Sequence, residues 1–223
     1  MILKKLDKAK VKGADRGRAQ LAAYIQAQRV PEPVLEKELH SGTAATRIGQ
    51  IGLATTSEPA GLACAAGCAF CCILSGEDGG VITGVEAKAL HTALAPKAGE
   101  PDGRDWHPSA CPSLDPETRL CRAYEARPMI CRSYISRDLS ACEEIAEGRP
   151  ADGTGTRAAY GTYLSVHTLA RAALGPGRAP TYSLRRVAEA AVDGIPLDDA
   201  LKSARHRPAE LLKEQKRATL SQD

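Results

Sequence analysis

A mainly α fold, one helical domain arranged around an irregular cysteine-rich segment, is expected from three features of this chain. Large apolar residues are sparse: 50 of 223 are Val, Ile, Leu, Met, Phe, Trp or Tyr, while alanine supplies 38, a composition that favours helices. One Phe and one Trp are too few for an aromatic-packed β-sandwich. Apolar positions recur at helical spacing on both sides of the cysteine-rich stretch, whereas strand signals are nearly absent. Residues 1–60 are expected to form an N-terminal helical scaffold. Residues 61–142 hold the cysteines, and residues 143–223 supply C-terminal helices that pack on the same domain.

Taken in order, Asp15 to Arg29 reads as a helix with Leu21, Tyr24 and Ile25 on one face, and Val34 to about Ile51 as a second after the Pro31-Glu32-Pro33 break. Thr83 followed by Glu86 is a capping box, and Val85, Ala89 and Leu90 continue its apolar stripe. Pro96 to Asp105, rich in Pro, Gly and charge, reads as a loop. After the break at Gly148 to Gly153, a helix is expected from about Arg157 to Leu174, stopped by Gly175-Pro176-Gly177. Ser183 caps a helix carrying Leu184, Val187, Ala191 and Ile195 on one face. A last polar helix is expected from Leu197 onward, fraying into Ser221-Gln222-Asp223.

Charge narrows the partners. Thirty basic against 27 acidic residues leave a formal net charge of +3, without the clustered surplus of a dedicated nucleic-acid binder. Lys4, Lys5, Lys8, Lys10 and Lys12 lack interleaved aromatics, so a solvated, partly disordered arm is expected there rather than a nucleic-acid contact. No run approaches the ~18 apolar residues of a membrane span, and no secretory signal precedes the first helix. A cytoplasmic protein with reduced thiols is the expectation, with a protein partner left open.

All eight cysteines, Cys64, Cys68, Cys71, Cys72, Cys111, Cys121, Cys131 and Cys142, fall within 79 residues. A disulfide framework belongs to small exported chains, so metal ligation is the expected use of these thiols. Zinc or iron suits such a donor set, with an iron–sulfur cluster as the larger alternative. On a continuous helix Cys64 and Cys71 would lie about 10.5 Å apart along the axis. Two sulfurs on one zinc cannot exceed ~4.6 Å. Either the chain loops near Gly67 or the site is larger than one ion, as an iron–sulfur cluster or a metal pair would be. The neighbours Cys71 and Cys72 point in different directions, so one of them serves a given metal. Asp115-Pro116-Glu117-Thr118 reads as a turn that brings Cys111 near Cys121, and Pro128 suits the start of a short helix bearing Cys131. Cys64, Cys68 and Cys71 need a fourth ligand, for which Cys131 is the expected donor. Arg122, Arg127 and Arg132 are placed to offset thiolate charge.

Cys-x3-Cys-x2-Cys-Cys, then Cys-Pro-x-Leu, then Cys-x2-Tyr-x2-Arg-Pro-x2-Cys-Arg-x-Tyr, resembles the YkgJ-type cysteine-cluster family over about Gly61 to Cys142. The resemblance implies zinc or iron chelation, with the family's cysteines falling on Cys64, Cys68, Cys71, Cys72, Cys111, Cys121, Cys131 and Cys142. A related cluster occurs in the flagellin lysine methylase, which implies an iron–sulfur-dependent, protein-modifying methyltransferase as the alternative; whether the chain is an enzyme stays open. Cys64-x3-Cys68-Ala-Phe70-Cys71 also has the spacing of radical S-adenosylmethionine enzymes, but the strands and glycine-rich follow-up of their barrel are missing here.

Histidines add little. His107, beside Trp106 and just ahead of Cys111, is a possible ligand by position, with Trp106 a potential lid, but an exposed loop histidine is the plainer reading. His167, beside Tyr163 and Leu164 on an apolar helix face, is expected in the core.

Overall fold

The computed structural model describes residues 2–29, 31–74, 78–175 and 177–220. It is mostly helical. The chain opens with α1 (Ile2–Lys8), α2 (Asp15–Gln28), α3 (Glu32–Ser41) and α4 (Thr43–Thr55). After the first cysteine loop come β1 (Val81–Thr83), α5 (Gly84–Leu94) and α6 (Gly103–Trp106). The second cysteine group leads into α7 (Met129–Ser133), β2 (Tyr134–Ser136), α8 (Leu139–Ala146) and β3 (Thr154–Thr156). The chain then continues through α9 (Ala158–Leu174), β4 (Thr181–Ser183), α10 (Leu184–Val192), α11 (Leu197–Ser203) and α12 (Pro208–Leu220).

Helix α9 is the hub. Its Tyr160, Tyr163, Leu164, Val166 and Leu169 are fully buried, and α1, α2, α3, α4, α7 and α12 all pack against it. A second apolar cluster joins α5 to α10 and α11 through Leu90, Leu94, Leu184 and Val187. The antiparallel pair β1–β4, in register Val81↔Ser183 to Thr83↔Thr181, leads directly into α5 and α10. The capping box at Thr83 forms, and Ser183 Oγ accepts from Arg186 N at 3.2 Å to start α10. His167 is buried in α9, its Nε2 3.2 Å from Pro180 O. Burial lowers its pKa to about 4, so it is a neutral core residue.

Six expectations are corrected. Helix α10 ends at Val192, so Ile195 lies past it and is exposed instead of joining the face of Leu184 and Val187. The Val34–Ile51 helix is two helices, because Gly42 adopts φ +87 and a Cβ there would stand 2.3 Å from Thr83 Cβ. A left-handed glycine lets α4 turn and brings the chain against the β1 end. The basic N-terminus is no disordered arm: Ile2 and Leu6, one turn apart on α1, are buried, and the Arg18 guanidinium caps the carbonyls of Leu6 and Ala9. Its five lysines remain exposed, as expected. The Pro96–Asp105 loop holds a 3₁₀ turn at Ala95–Lys97 and the start of α6, capped by Asp102. The last helix is two, since Pro208 lacks the N–H that a continuous helix would use and begins α12 instead. Four three-residue strands form two small sheets, too short for period-two patterning to show. The expected fraying at Ser221-Gln222-Asp223, and Pro176 of the expected stop, lie outside the described residues.

Candidate metal centre

The first cysteine group is looped, not helical. Cys68 N bonds back to Ala65 O at 3.1 Å, and Gly67 takes φ +78, the left-handed turn residue that reverses the chain between Cys64 and Cys68. A single 3₁₀ turn, Phe70–Cys72, follows. The loop is moored from both sides: Ala63 N donates to Ser136 O at 2.9 Å, and Leu74 N to Ser109 O at 2.8 Å. One guanidinium reinforces the second mooring, as Arg185 Nη2 donates to both Leu74 O (2.9 Å) and Ser109 O (2.8 Å).

The second group folds back as its turn residues imply. Asp115 Oδ1 accepts from Thr118 N at 2.8 Å and Thr118 Oγ1 at 2.7 Å, and Leu114 then pairs with Cys121 in an antiparallel bridge. Cys111 N donates to Cys72 O at 2.7 Å, which ties the two groups together. Pro128 precedes α7, which carries Cys131. The start of α7 is fixed by a residue whose second role sequence reading missed. Buried Glu86 accepts from Met129 N (2.8 Å), Tyr163 OH (2.5 Å), and Thr83 N and Oγ1 (2.9 Å each). Burial raises its pKa above the ordinary glutamate value against the pull of these donors. A capping box explained Glu86 locally; nothing in the sequence distinguished its reach to α7 and α9.

These elements place seven thiols, those of Cys64, Cys68, Cys71, Cys72, Cys111, Cys121 and Cys131, on one cavity of about 380 Å³ floored by Leu90 and Leu184. Cys142 stands apart on α8, lining a neighbouring cavity that it shares with Cys71. All eight thiols are free. Among the described residues no three Cys, His, Asp or Glu side chains are already arranged to hold a metal ion. The thiols line a wall instead of converging on a point, so ligation would require side-chain rotation inward.

The chemistry of the wall nevertheless fits zinc or iron. Thiolate is the ligand these metals take in closed sites, and four donors suffice. Ser113 Oγ, buried on the same wall, has no hydrogen-bond partner among the described residues, and a thiolate or metal-bound sulfur would supply the acceptor it lacks. Burial pushes the thiols of Cys111, Cys121 and Cys131 up. Cys71 behaves differently: the neighbouring Cys72 thiol hydrogen-bonds to it and lowers it to about 7, while Cys72 is pushed well up by the same contact and by burial. The adjacent Cys71 and Cys72 both line this cavity, and of the two only Cys71 also lines the one that holds Cys142.

Of the three expected arginines, Arg127 alone lines the cavity, its guanidinium 3.6 Å from the Tyr124 ring centroid. Its charge favours the thiolates of Cys71, Cys121 and Cys131. Arg122 donates to the carbonyls of Pro112 and Pro101 while its charge also favours the Cys121 thiolate, whereas Arg132 is held on the carbonyls of Arg127 and Glu125. Arg119, which sequence reading passed over, lines the cavity and lies over Trp106 at 5.7 Å, held at φ +58 by the turn it closes. Trp106 itself packs beside Ala69, Ala110 and Leu114 and does not line the cavity. His107 Nδ1 accepts from Ser109 N at 3.1 Å, a turn contact away from the thiols.

Residues 63–148 match the model of the CxxCxxCC family, described as "Putative zinc- or iron-chelating domain". This is the family that the cysteine spacing resembles, and the match covers 86 of the 223 residues. No curated protein and no solved structure matches the chain. No helix among the described residues is long and apolar enough to cross a membrane.

Proposed function

We propose that this chain is a metal-binding protein in which thiolates from two segments take up zinc or iron and clamp the 61–142 region onto its helical scaffold. The observation that carries this reading is the meeting of seven thiols, from loops up to 67 positions apart, on one cavity wall. Because burial favours the protonated thiols of Cys111, Cys121 and Cys131, uptake of a cation there releases protons and tightens as pH rises. The metal's role is structural or partner-facing: the first cysteine loop, Gly61 to Ile73, buries only Ala69 and Ile73, and exposed Leu120 and Tyr124 border the cavity. A protein partner and a reducing, cytoplasmic setting belong to this proposal.

Metal analysis of anaerobically purified protein tests it. At least one zinc or iron per chain is expected. Absorbance at about 400 nm would identify an iron–sulfur centre, since zinc is colourless. Metal-free protein of unchanged helicity, with its thiols paired as disulfides, overturns the reading.

A further inference from the structure

The surroundings of the eight thiols are not uniform. Cys72, Cys111, Cys121 and Cys131 all pack with the apolar cluster of α5 and α10. Among the described residues, Cys64, Cys68, Cys71 and Cys142 stand outside that cluster, and Cys64 and Cys71 are exposed.

Backbone contacts draw the same line. On the inner side, Cys111 N bonds to Cys72 O, Leu114 N bonds to Cys111 O at 3.0 Å, and Leu114 pairs with Cys121. On the outer side, Ser136 N donates to Cys64 Sγ at 3.4 Å, and Ser136 Oγ donates to Asp138 O where α8 begins. Helix α8, with Cys142, packs on the Phe70–Cys72 turn, and Cys142 and Cys71 line one cavity. Successive side chains of a 3₁₀ turn stand about 120° apart, so the neighbours Cys71 and Cys72 lead to different sides of this boundary.

We propose that the chain holds two adjoining four-thiol metal sites, an inner one of Cys72, Cys111, Cys121 and Cys131 and an outer one of Cys64, Cys68, Cys71 and Cys142. This rests on the chelating function proposed above and gives Cys142, not Cys131, the place of fourth ligand to the first group. One tetrahedral ion takes four ligands with sulfurs no more than ~4.6 Å apart, so eight thiols exceed a single zinc, and two quartets use them all. Two divalent tetrathiolate sites carry a formal charge of −2 each. Arg127, whose charge reaches Cys71 as well as Cys121 and Cys131, lies where both gain from it.

The test is an anaerobic titration of the reduced, metal-free full chain with cobalt(II), a coloured stand-in for zinc, read by its thiolate-to-cobalt charge-transfer absorption. The wild-type chain is expected to saturate at two equivalents. Cys142→Ser and Cys68→Ser should each keep one equivalent at the inner site, and Cys111→Ser should keep one at the outer site, with helicity checked by circular dichroism. Saturation of the wild type at one equivalent overturns the two-site assignment and leaves chelation standing. Loss of all bound cobalt in the helical Cys142→Ser variant also overturns it, in favour of one shared cluster. Absence of any thiolate–cobalt band in the wild type overturns chelation and the two sites together. Should a variant fail to fold, the wild-type endpoint still decides.

Discussion

The bundle around α9 and the cysteine region between residues 61 and 142 are held by different forces. In the bundle, Tyr160, Tyr163, Leu164, Val166 and Leu169 of one helix are each nearly inaccessible to water, with neighbours on every side. Between Gly61 and Ile73, by contrast, only Ala69 and Ile73 are buried, and the loop is fixed by backbone hydrogen bonds and one guanidinium. Burial of a large apolar side chain contributes roughly 1.5–3 kcal/mol, whereas a hydrogen bond nets about 1 kcal/mol. The bundle is therefore stable by its own composition, and within the cysteine region the loop from Gly61 to Ile73 is the part whose order has most to gain from a bound metal.

The sharpest break in that comparison is metal removal. Structural zinc contributes on the order of 10 kcal/mol in small thiolate domains, so a strong chelator should release the Cys111 and Leu74 amides to hydrogen exchange by about tenfold or more. The amides of α9 should keep their protection. Equal protection across residues 61–142 with and without metal would show that the two regions are equally self-sufficient.

Next in size is Leu164→Ala, which leaves a cavity where α9 meets its neighbours. A loss of about 3 kcal/mol in urea unfolding is expected, with the whole chain affected, because the cysteine region rests on this bundle through α7. A loss confined to the cysteine region would contradict the hierarchy.

Glu86→Gln probes the joint between the regions and should have the smallest effect, about 2 kcal/mol. Gln keeps one acceptor oxygen, so an amide NH₂ must face either Met129 N or Thr83 N. The sign of the pH dependence follows from burial, which raises the native Glu86 pKa above its unfolded value. Between those two values the native state binds more protons than the unfolded state, so Glu86's contribution is complete below the ordinary glutamate range and declines as pH rises through the native pKa. The wild-type advantage over Glu86→Gln should therefore shrink across that window in paired unfolding curves. A difference independent of pH would mean that burial does not raise the native Glu86 pKa.

What could be read from the sequence was local. The Thr83 capping box, the Ser183 cap, the Asp115 turn and the core placement of His167 each depend on residues within a few positions, and the structure repeats them. Spacing alone also raised the alternative of a loop near Gly67, which is the one the structure shows. The rest depends on distant partners. Gly42 looks like an interior helix residue until Thr83, 41 positions later, is seen against it. The N-terminal lysines suggested a solvated arm because the buried pair Ile2 and Leu6 has value only once α9 is present to cover it. At the thiols, the spacing grouped Cys64, Cys68 and Cys71, but only the fold shows that Cys142 lies beside them and that Arg119 joins Arg127 on the cavity wall.

The β1–β4 pair has a consequence for synthesis. It joins Val81–Thr83 to Thr181–Ser183, and Arg185, which moors Leu74 and Ser109, comes just after. At roughly 5–20 residues per second, the Cys64–Cys72 loop leaves the ribosome roughly 5–20 s before its clamp exists. In that interval the four thiols of this loop, joined by the four that follow, are exposed on a nascent chain with no complete scaffold, open to oxidation or to the wrong metal. Refolding of the reduced chain in the presence of an oxidant should accordingly yield less native protein than oxidation after folding, because closing so long a loop is slow.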